Sequence, residues 1–216
     1  MIRRPRERVR GVLVQLCRVG HGIDLVLNDD FRANVRFAAG DYGDAAELQR
    51  QAIDMRPADV QALIGLGYAL WYDGSPADAE VTFAQALTWN AESAAALGGR
   101  GQVRAELREY SDALADLDAA LGLGLAPIEE VDAYSARALA LAGLGRDEDA
   151  RSALADARIL APDRPRTLRR VAKIAALRDD RALAVSEAER ALAATPPLPP
   201  WDERDARRLL EDLRSR

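Results

Sequence analysis

Histidine, cysteine and lysine are almost absent from this sequence, since each occurs once among 216 residues, at His21, Cys17 and Lys173. A single cysteine excludes an internal disulfide framework and is typical of a reducing compartment, so we expect a cytoplasmic protein. Cys17 and His21 form the one candidate pair of nucleophile and base, but Gly20 and Gly22 disfavour the helix that would align them. No Cys or His cluster has zinc-site spacing. We therefore predict a non-enzyme without metal ligands, cofactor or small-molecule substrate.

Long hydrophobic runs are also missing. The apolar stretch near the start, residues 11–17, is interrupted by Gln15 and followed by Arg18. It is too short for the apolar core of a secretory signal or for a membrane span. We interpret residues 1–25 as a basic segment that forms a capping helix. The alternative is contact with a membrane surface or an anionic partner, because five arginines crowd the beginning: Arg3, Arg4, Arg6, Arg8 and Arg10.

Aromatic residues make up only 5% of the chain, whereas 49% of its residues are hydrophobic. Burial must then come from many alanine and leucine contacts between close helices, because the β-branched and aromatic runs of strands are scarce. The net charge of -5 argues against generic binding to nucleic acid. Composition therefore favours an all-α fold.

The stretch from Val60 to Asn90 shows how such helices are arranged. Apolar residues recur in it at helical spacing before and after a break at residues 73–76. Asp59 stands where an N-cap would begin the first helix, while Ser75 and Pro76 suit the cap and first position of the second. The stretch predicts two short helices joined by a tight turn.

This helical hairpin is repeated along the chain. Ala45, Ala79 and Ala113 are spaced by 34 residues, and the same spacing joins Ala150 to Ala184. Between Ala113 and Ala150 the spacing is 37, which we explain by a loop insertion in the Gly- and Pro-rich residues 122–127. We predict a C-terminal capping helix over 199–216 after five units: 26–59, 60–93, 94–127, 131–164 and 165–198.

The repeat resembles the tetratricopeptide repeat (TPR) family. That family has a period of 34, with small residues where its helices touch and Pro near the end of the second helix, as at Pro57, Pro162 and Pro196 here. The resemblance implies a right-handed α-solenoid of about five stacked helix-turn-helix repeats with capping helices. It also implies a non-enzymatic adaptor that binds a protein or peptide in a concave groove.

The resemblance further implies which side chains face the groove. In the second unit the groove positions of the family are filled by Ile64, Tyr68, Trp71 and Tyr72, and Phe37 of the first unit extends the set. We interpret these five residues as an aromatic anchor site for a ligand. The alternative is that Trp71 and Tyr72 pack against the next unit.

In the fifth unit the same positions carry positive charge. Arg166, Arg169 and Lys173 occupy them and Arg170 lies beside them, so we predict a basic patch that pairs with carboxylate or phosphate. The alternative is a basic face neutralised by Asp179 and Asp180 or by the tail helix. Together, the two patches predict a peptide ligand with an apolar anchor near Trp71 and an acidic group near Arg169.

Other partners compete with this adaptor function. The carboxylate clamp for chaperone tails requires Lys and Asn at two groove positions of the first unit; Asn34 matches, but Asp30 replaces the Lys and would repel a carboxylate. Self-assembly into a homo-oligomer is an alternative. Nucleic-acid contact through the arginine-rich start and the fifth unit is a less favoured one.

Overall fold

The computed structural model describes residues 29–215, and side chains from 32 onward. The predicted N-terminal cap, with Cys17 and His21, lies outside the described residues. Within them the chain is entirely helical, with eleven helices and no strand: α1 (Asp29–Ala39), α2 (Tyr42–Met55), α3 (Val60–Asp73), α4 (Pro76–Trp89), α5 (Ala94–Glu106), α6 (Tyr110–Leu123), α7 (Pro127–Gly143), α8 (Asp147–Leu160), α9 (Pro165–Ala176), α10 (Arg181–Ala193) and α11 (Pro200–Ser215). Antiparallel pairs of these helices stack into an α-solenoid, as predicted.

Local signals in the sequence set the helix ends. The Asp59 carboxylate accepts hydrogen bonds from the backbone N–H groups of Gln61 and Ala62, both at 3.1 Å, so it caps α3 as expected. Gly74 ends α3 with a φ of 124°, a left-handed conformation that favours glycine. Pro76 begins α4, as predicted. Ser75 is at the N-cap position, also as predicted, but its hydroxyl makes no capping hydrogen bond.

One helix-to-helix contact recurs from pair to pair. The five repeat alanines are at most 3% exposed: Ala45, Ala79, Ala113, Ala150 and Ala184. A second recurring contact sets a small residue on the first helix against the residue sixteen positions later on the second, as Gly67 meets Phe83 and Gly101 meets Leu117. This complementarity holds the two helices of each pair close together.

Helix α11 packs against the last pair, α9 and α10. Three side chains on one face of α11, namely Ala206, Leu210 and Leu213, are buried against apolar residues of α9 and α10, many of them alanines. Its first turn also contacts α3, and Arg204 donates a hydrogen bond to the carbonyl of Asp73 at 3.2 Å. The tail helix therefore spans the concave side from the fifth pair to the second.

Within residues 29–215, no helix is both apolar enough and long enough to cross a lipid bilayer. In the same range, no three His, Cys, Asp or Glu side chains are grouped so as to hold a metal ion.

Candidate functional site: the concave face

The structure brings the five predicted aromatic and apolar residues together. Spacings of three and four along α3 place Ile64, Tyr68, Trp71 and Tyr72 near one another. The rings of Tyr68 and Tyr72 have centroids 6.2 Å apart, and Phe37 of α1 reaches Tyr72 at 5.1 Å. Tyr42, which the sequence reading missed, joins this cluster at 5.3 Å from Tyr72.

These residues differ in accessibility, however. Trp71 is 0% exposed, because the Arg166 guanidinium lies 4.5 Å from its ring centroid and Trp201 of the tail helix packs beside it at 6.3 Å. These contacts are with the fifth unit and the tail helix, and not with the next unit that the packing alternative named. Tyr68 and Tyr72 are half-buried and still border open space.

That open space is a cavity of about 320 Å³ on the concave face, lined by residues between Ala33 and Arg164. Phe37, Ile64, Tyr68 and Tyr72 line one side of it. The rest of the lining is mostly polar and includes Ile128, Glu129, Asp132, Arg164, Asn34, Gln49, Gln61 and Gln102. We call it the concave cavity.

The three arginines of the predicted basic patch are buried, and carboxylates of the chain itself pair with them. Arg166, Arg169 and Arg170 are at most 4% exposed. Arg166 donates two hydrogen bonds to Asp202 of the tail helix, at 2.7 and 2.9 Å, and a third to the Tyr72 hydroxyl at 2.7 Å. The expectation of a basic patch open to an acidic partner does not describe this arrangement, because the tail helix supplies the carboxylate.

Arg169 and Lys173 share their carboxylate partners. Arg169 donates to both oxygens of Glu106, at 2.5 and 3.1 Å, and to Asp205 of the tail helix at 2.5 Å. Lys173 lies 2.8 Å from Glu106 and 3.2 Å from Asp205. Of the alternatives drawn from sequence, neutralisation by the tail helix matches these contacts.

Arg170 points away from the tail and into the array. Its guanidinium donates to Glu106 at 3.0 Å, to the hydroxyl of Ser135 and the carbonyl of Asp132, both at 2.8 Å, and to Gln102 at 3.3 Å. Glu106 and Asp132 are thus the internal counter-charges of the patch, and the sequence reading missed both. A signal was present, because the groove register that selected Tyr68 and Arg169 also selects Gln102, Glu106, Asp132 and Ser135 in the third and fourth units.

Burial and charge oppose each other at these carboxylates. Burial alone would raise the pKa of Glu106, but Arg169, Lys173 and Arg170 outweigh it and hold that pKa well below its ordinary value. Burial would also raise the pKa of Asp132. The hydrogen bond from Arg164 and the charges of Arg166 and Arg170 outweigh burial, so that pKa is lowered as well. Burial raises the pKa of Tyr72 against the opposing charge of Arg166. Because their pKa values are lowered, Glu106 and Asp132 are both ionised at neutral pH.

We expect acid to destabilise the fold through these two carboxylates. A carboxylate with a lowered folded-state pKa stabilises the fold above its unfolded-state pKa, and the stabilisation is lost as the pH falls through the folded-state pKa. The urea midpoint should therefore fall steadily below about pH 4.5. Glu106→Gln should lower the midpoint at neutral pH and flatten the acid dependence, whereas Glu203→Gln, in an exposed pair with Arg207, should change neither. A midpoint that stays constant on acidification would contradict this.

Comparison with known proteins agrees with the repeat. A family model described as Tetratricopeptide repeat matches residues 32–88, 66–128 and 99–165, which together cover more than half of the chain. No curated protein matches the chain.

Several solved structures share the fold at low sequence identity. A thermophilic TPR protein from Thermus thermophilus is 18% identical, with a TM-score of 0.63 over 88% of this chain and 99% of that one. PilW, a type IV pilus biogenesis factor, is 17% identical, with a TM-score of 0.62 over 90% of this chain and 92% of that one. YrrB, a TPR protein with an unusual peptide-binding site, is 19% identical, with a TM-score of 0.53 over 94% of this chain and 97% of that one. The chain belongs to the tetratricopeptide repeat family.

Proposed function

We propose that this protein is a scaffold that binds a segment of a partner protein in the concave cavity. The observation that carries the proposal is the cavity itself, which is about 320 Å³ in volume and lined by Phe37, Ile64, Tyr68 and Tyr72. Its size lies at the lower end of the range of ligand pockets in proteins, about 300–1,000 Å³. We expect a cavity of this size to take about one or two large side chains of a bound segment.

The chemistry of the lining defines the ligand. Aromatic rings on the α1 and α3 side favour a large apolar anchor, such as Leu, Phe or Trp. Gln49 is 3% exposed and lines the cavity, and its Oε1 has no hydrogen-bond partner within the described part of the chain. An unpaired buried acceptor is costly, so a ligand that donates an N–H to it gains affinity. A peptide supplies both the anchor and the N–H.

The acidic group that we expected in the ligand is not needed at this cavity. Arg164, the basic residue of its lining, already forms two hydrogen bonds with Asp132, at 2.6 and 2.7 Å. The revised ligand is a segment with an apolar anchor and a free backbone or side-chain N–H. The peptide-binding site named for YrrB supports a peptide ligand on this fold, although it lies in another protein.

A displayed library of short random peptides, selected on the full chain, tests this proposal. Ile128 is 60% exposed at the cavity, so Ile128→Glu should place a charge there without disturbing the core, and Asn34→Trp should fill part of the space. We expect the selected peptides to share a large apolar residue. Both variants should bind them at least about tenfold more weakly, a loss of about 1.4 kcal/mol.

Ile159→Glu is the matched control, because Ile159 is 80% exposed on α8 and does not line the cavity. It should bind the selected peptides as the parent chain does. The proposal is wrong if no peptide with an apolar anchor is selected, or if Ile128→Glu and Asn34→Trp leave the affinity unchanged.

A further inference from the structure

We propose that the surface beneath the first half of α11 is a second protein-binding surface, which adjoins the concave cavity. We call it the tail seat; it consists of Trp71 on α3 and Arg166, Arg169 and Lys173 on α9. In this structure α11 occupies it as an internal ligand. Its external partner is an amphipathic helix that carries an aromatic residue followed by acidic residues one and four positions later.

The contacts of α11 define this pattern. Trp201 packs beside Trp71, and the Arg169 guanidinium lies 5.3 Å from the centroid of the Trp201 ring. One position later, Asp202 accepts two hydrogen bonds from Arg166. Four positions after Trp201, Asp205 pairs with Arg169 and Lys173. The first half of α11 therefore has the apolar anchor and acidic groups that the sequence predicted for a ligand from outside.

Charge balance shows why the seat requires an acidic occupant. Without α11, the tail seat and the side chains paired with it carry five cations and two carboxylates, an excess of three positive charges. The cations are Arg164, Arg166, Arg169, Arg170 and Lys173, and the carboxylates are Glu106 and Asp132. Asp202 and Asp205 reduce that excess to one. Because buried charge is costly unless it is paired, any helix that replaces α11 must bring carboxylates to the same places.

Two observations indicate that α11 is exchangeable. Its apolar contact with α9 and α10 is made by three buried side chains of one face, Ala206, Leu210 and Leu213, and by the partly buried Leu209. In addition, two buried polar atoms of the seat, Trp71 Nε1 and Arg169 Nε, have no hydrogen-bond partner among the side chains that the structure describes. The seat thus offers two donors that α11 leaves unused, so a partner helix with a further acceptor can bind more tightly.

A labelled synthetic peptide with the sequence of residues 199–216 tests the seat on the full chain. In the parent the attached tail competes at an effective concentration of about millimolar, so the peptide should bind weakly. The double substitution Trp201→Ala and Asp202→Ala in the full chain should weaken the attached tail. We expect that variant to bind the peptide at least about tenfold more tightly than the parent does.

The matched control peptide carries Asp202→Lys and Asp205→Lys, which reverse its acidic groups and should abolish its binding. Equal binding of both peptides to the variant, or binding of neither, would overturn the proposal. Light scattering of the parent at rising concentration would show whether it dimerises. If it does, and the variant does not, the tail of a second copy occupies the seat, and the proposal of a different protein as partner is wrong.

A second measurement avoids the variant altogether. Excess peptide added to the parent should displace the attached tail, which hydrogen exchange would show as lost protection of the first turns of α11. Unchanged protection at a saturating peptide concentration overturns the proposal. Ile128→Glu should leave every one of these results unchanged, so failure at the tail seat is distinguishable from failure at the concave cavity.

Discussion

Arg169→Met should lower the free energy of unfolding by about 3–5 kcal/mol, the usual cost of removing one partner from a buried ion pair. Arg169 is 0% exposed, and the side chains of its partners Glu106 and Asp202 are 0% and 1% exposed. Without the guanidinium, Glu106 would keep Arg170 and Lys173 as cationic partners among residues 32–215, and Asp202 would keep Arg166. The loss would appear as a lower urea midpoint.

Arg207→Met is the matched control for this substitution. Arg207 is an exposed arginine on α11 that pairs with Glu203 at 2.7 Å, one turn away. Exposed pairs of this kind contribute about 0.3–0.5 kcal/mol, so the control should remain close to the parent. If Arg169→Met and Arg207→Met have similar midpoints, the buried ion pairs do not hold the fifth pair and the tail helix in place.

Repeat spacing made the helix pairs predictable, because residues at equivalent positions of successive repeats make equivalent contacts in a stacked array. The spacing that joins Ala45 to Ala79 and Ala113 corresponds to buried helix-to-helix contacts at each position. The pairing of Gly67 with Phe83 and of Gly101 with Leu117 follows the same register. These features depend only on neighbouring units, which is why the sequence was sufficient.

Contacts between distant units could not be predicted in this way. The hydroxyl of Tyr72 accepts a hydrogen bond from Arg166 at 2.7 Å, although 94 positions separate them. Helical periodicity shows which residues share a face of one helix, but the approach of α3 to α9 depends on how strongly the array curves. Small rotations between successive pairs add up over three units, and the total rotation cannot be predicted from any single residue. The burial of Trp71 and the shape of the concave cavity follow from that curvature.

The charges were partly predictable. The basic residues of α9 were found from their register, and the tail helix was one of the alternatives for neutralising them. The same register in the third and fourth units would have added Glu106 and Asp132, the carboxylates that pair with them. Reading every unit for complementary charge, rather than only the units with aromatic or basic residues, would have indicated an internal network.

Phe83→Ala should also lower the free energy of unfolding by about 3–5 kcal/mol, because it removes a fully buried ring and leaves a cavity in its place. Phe83 is 0% exposed and packs edge to face against Tyr68, with ring centroids 5.1 Å apart. Its ring fills the space left by two glycines on successive first helices: a Cβ at Gly67 would lie 2.7 Å from the ring, and one at Gly99 would lie 2.5 Å from it. Val81→Ala, 69% exposed on the same helix, should have little effect on the urea midpoint.

A double substitution tests this explanation, because the effect of Gly67→Ala on stability should change sign when Phe83 is absent. In the parent, Gly67→Ala should destabilise the fold by about 1–3 kcal/mol, because the added Cβ overlaps the ring of Phe83. In the Phe83→Ala background the space is empty, and replacing a helical glycine by alanine should instead stabilise the fold by about 0.5–1 kcal/mol. The coupling between the two positions therefore equals the steric cost of the overlap. If Gly67→Ala shifts the urea midpoint equally in both backgrounds, the ring does not occupy the space that the glycine leaves, and another contact must hold these helices together.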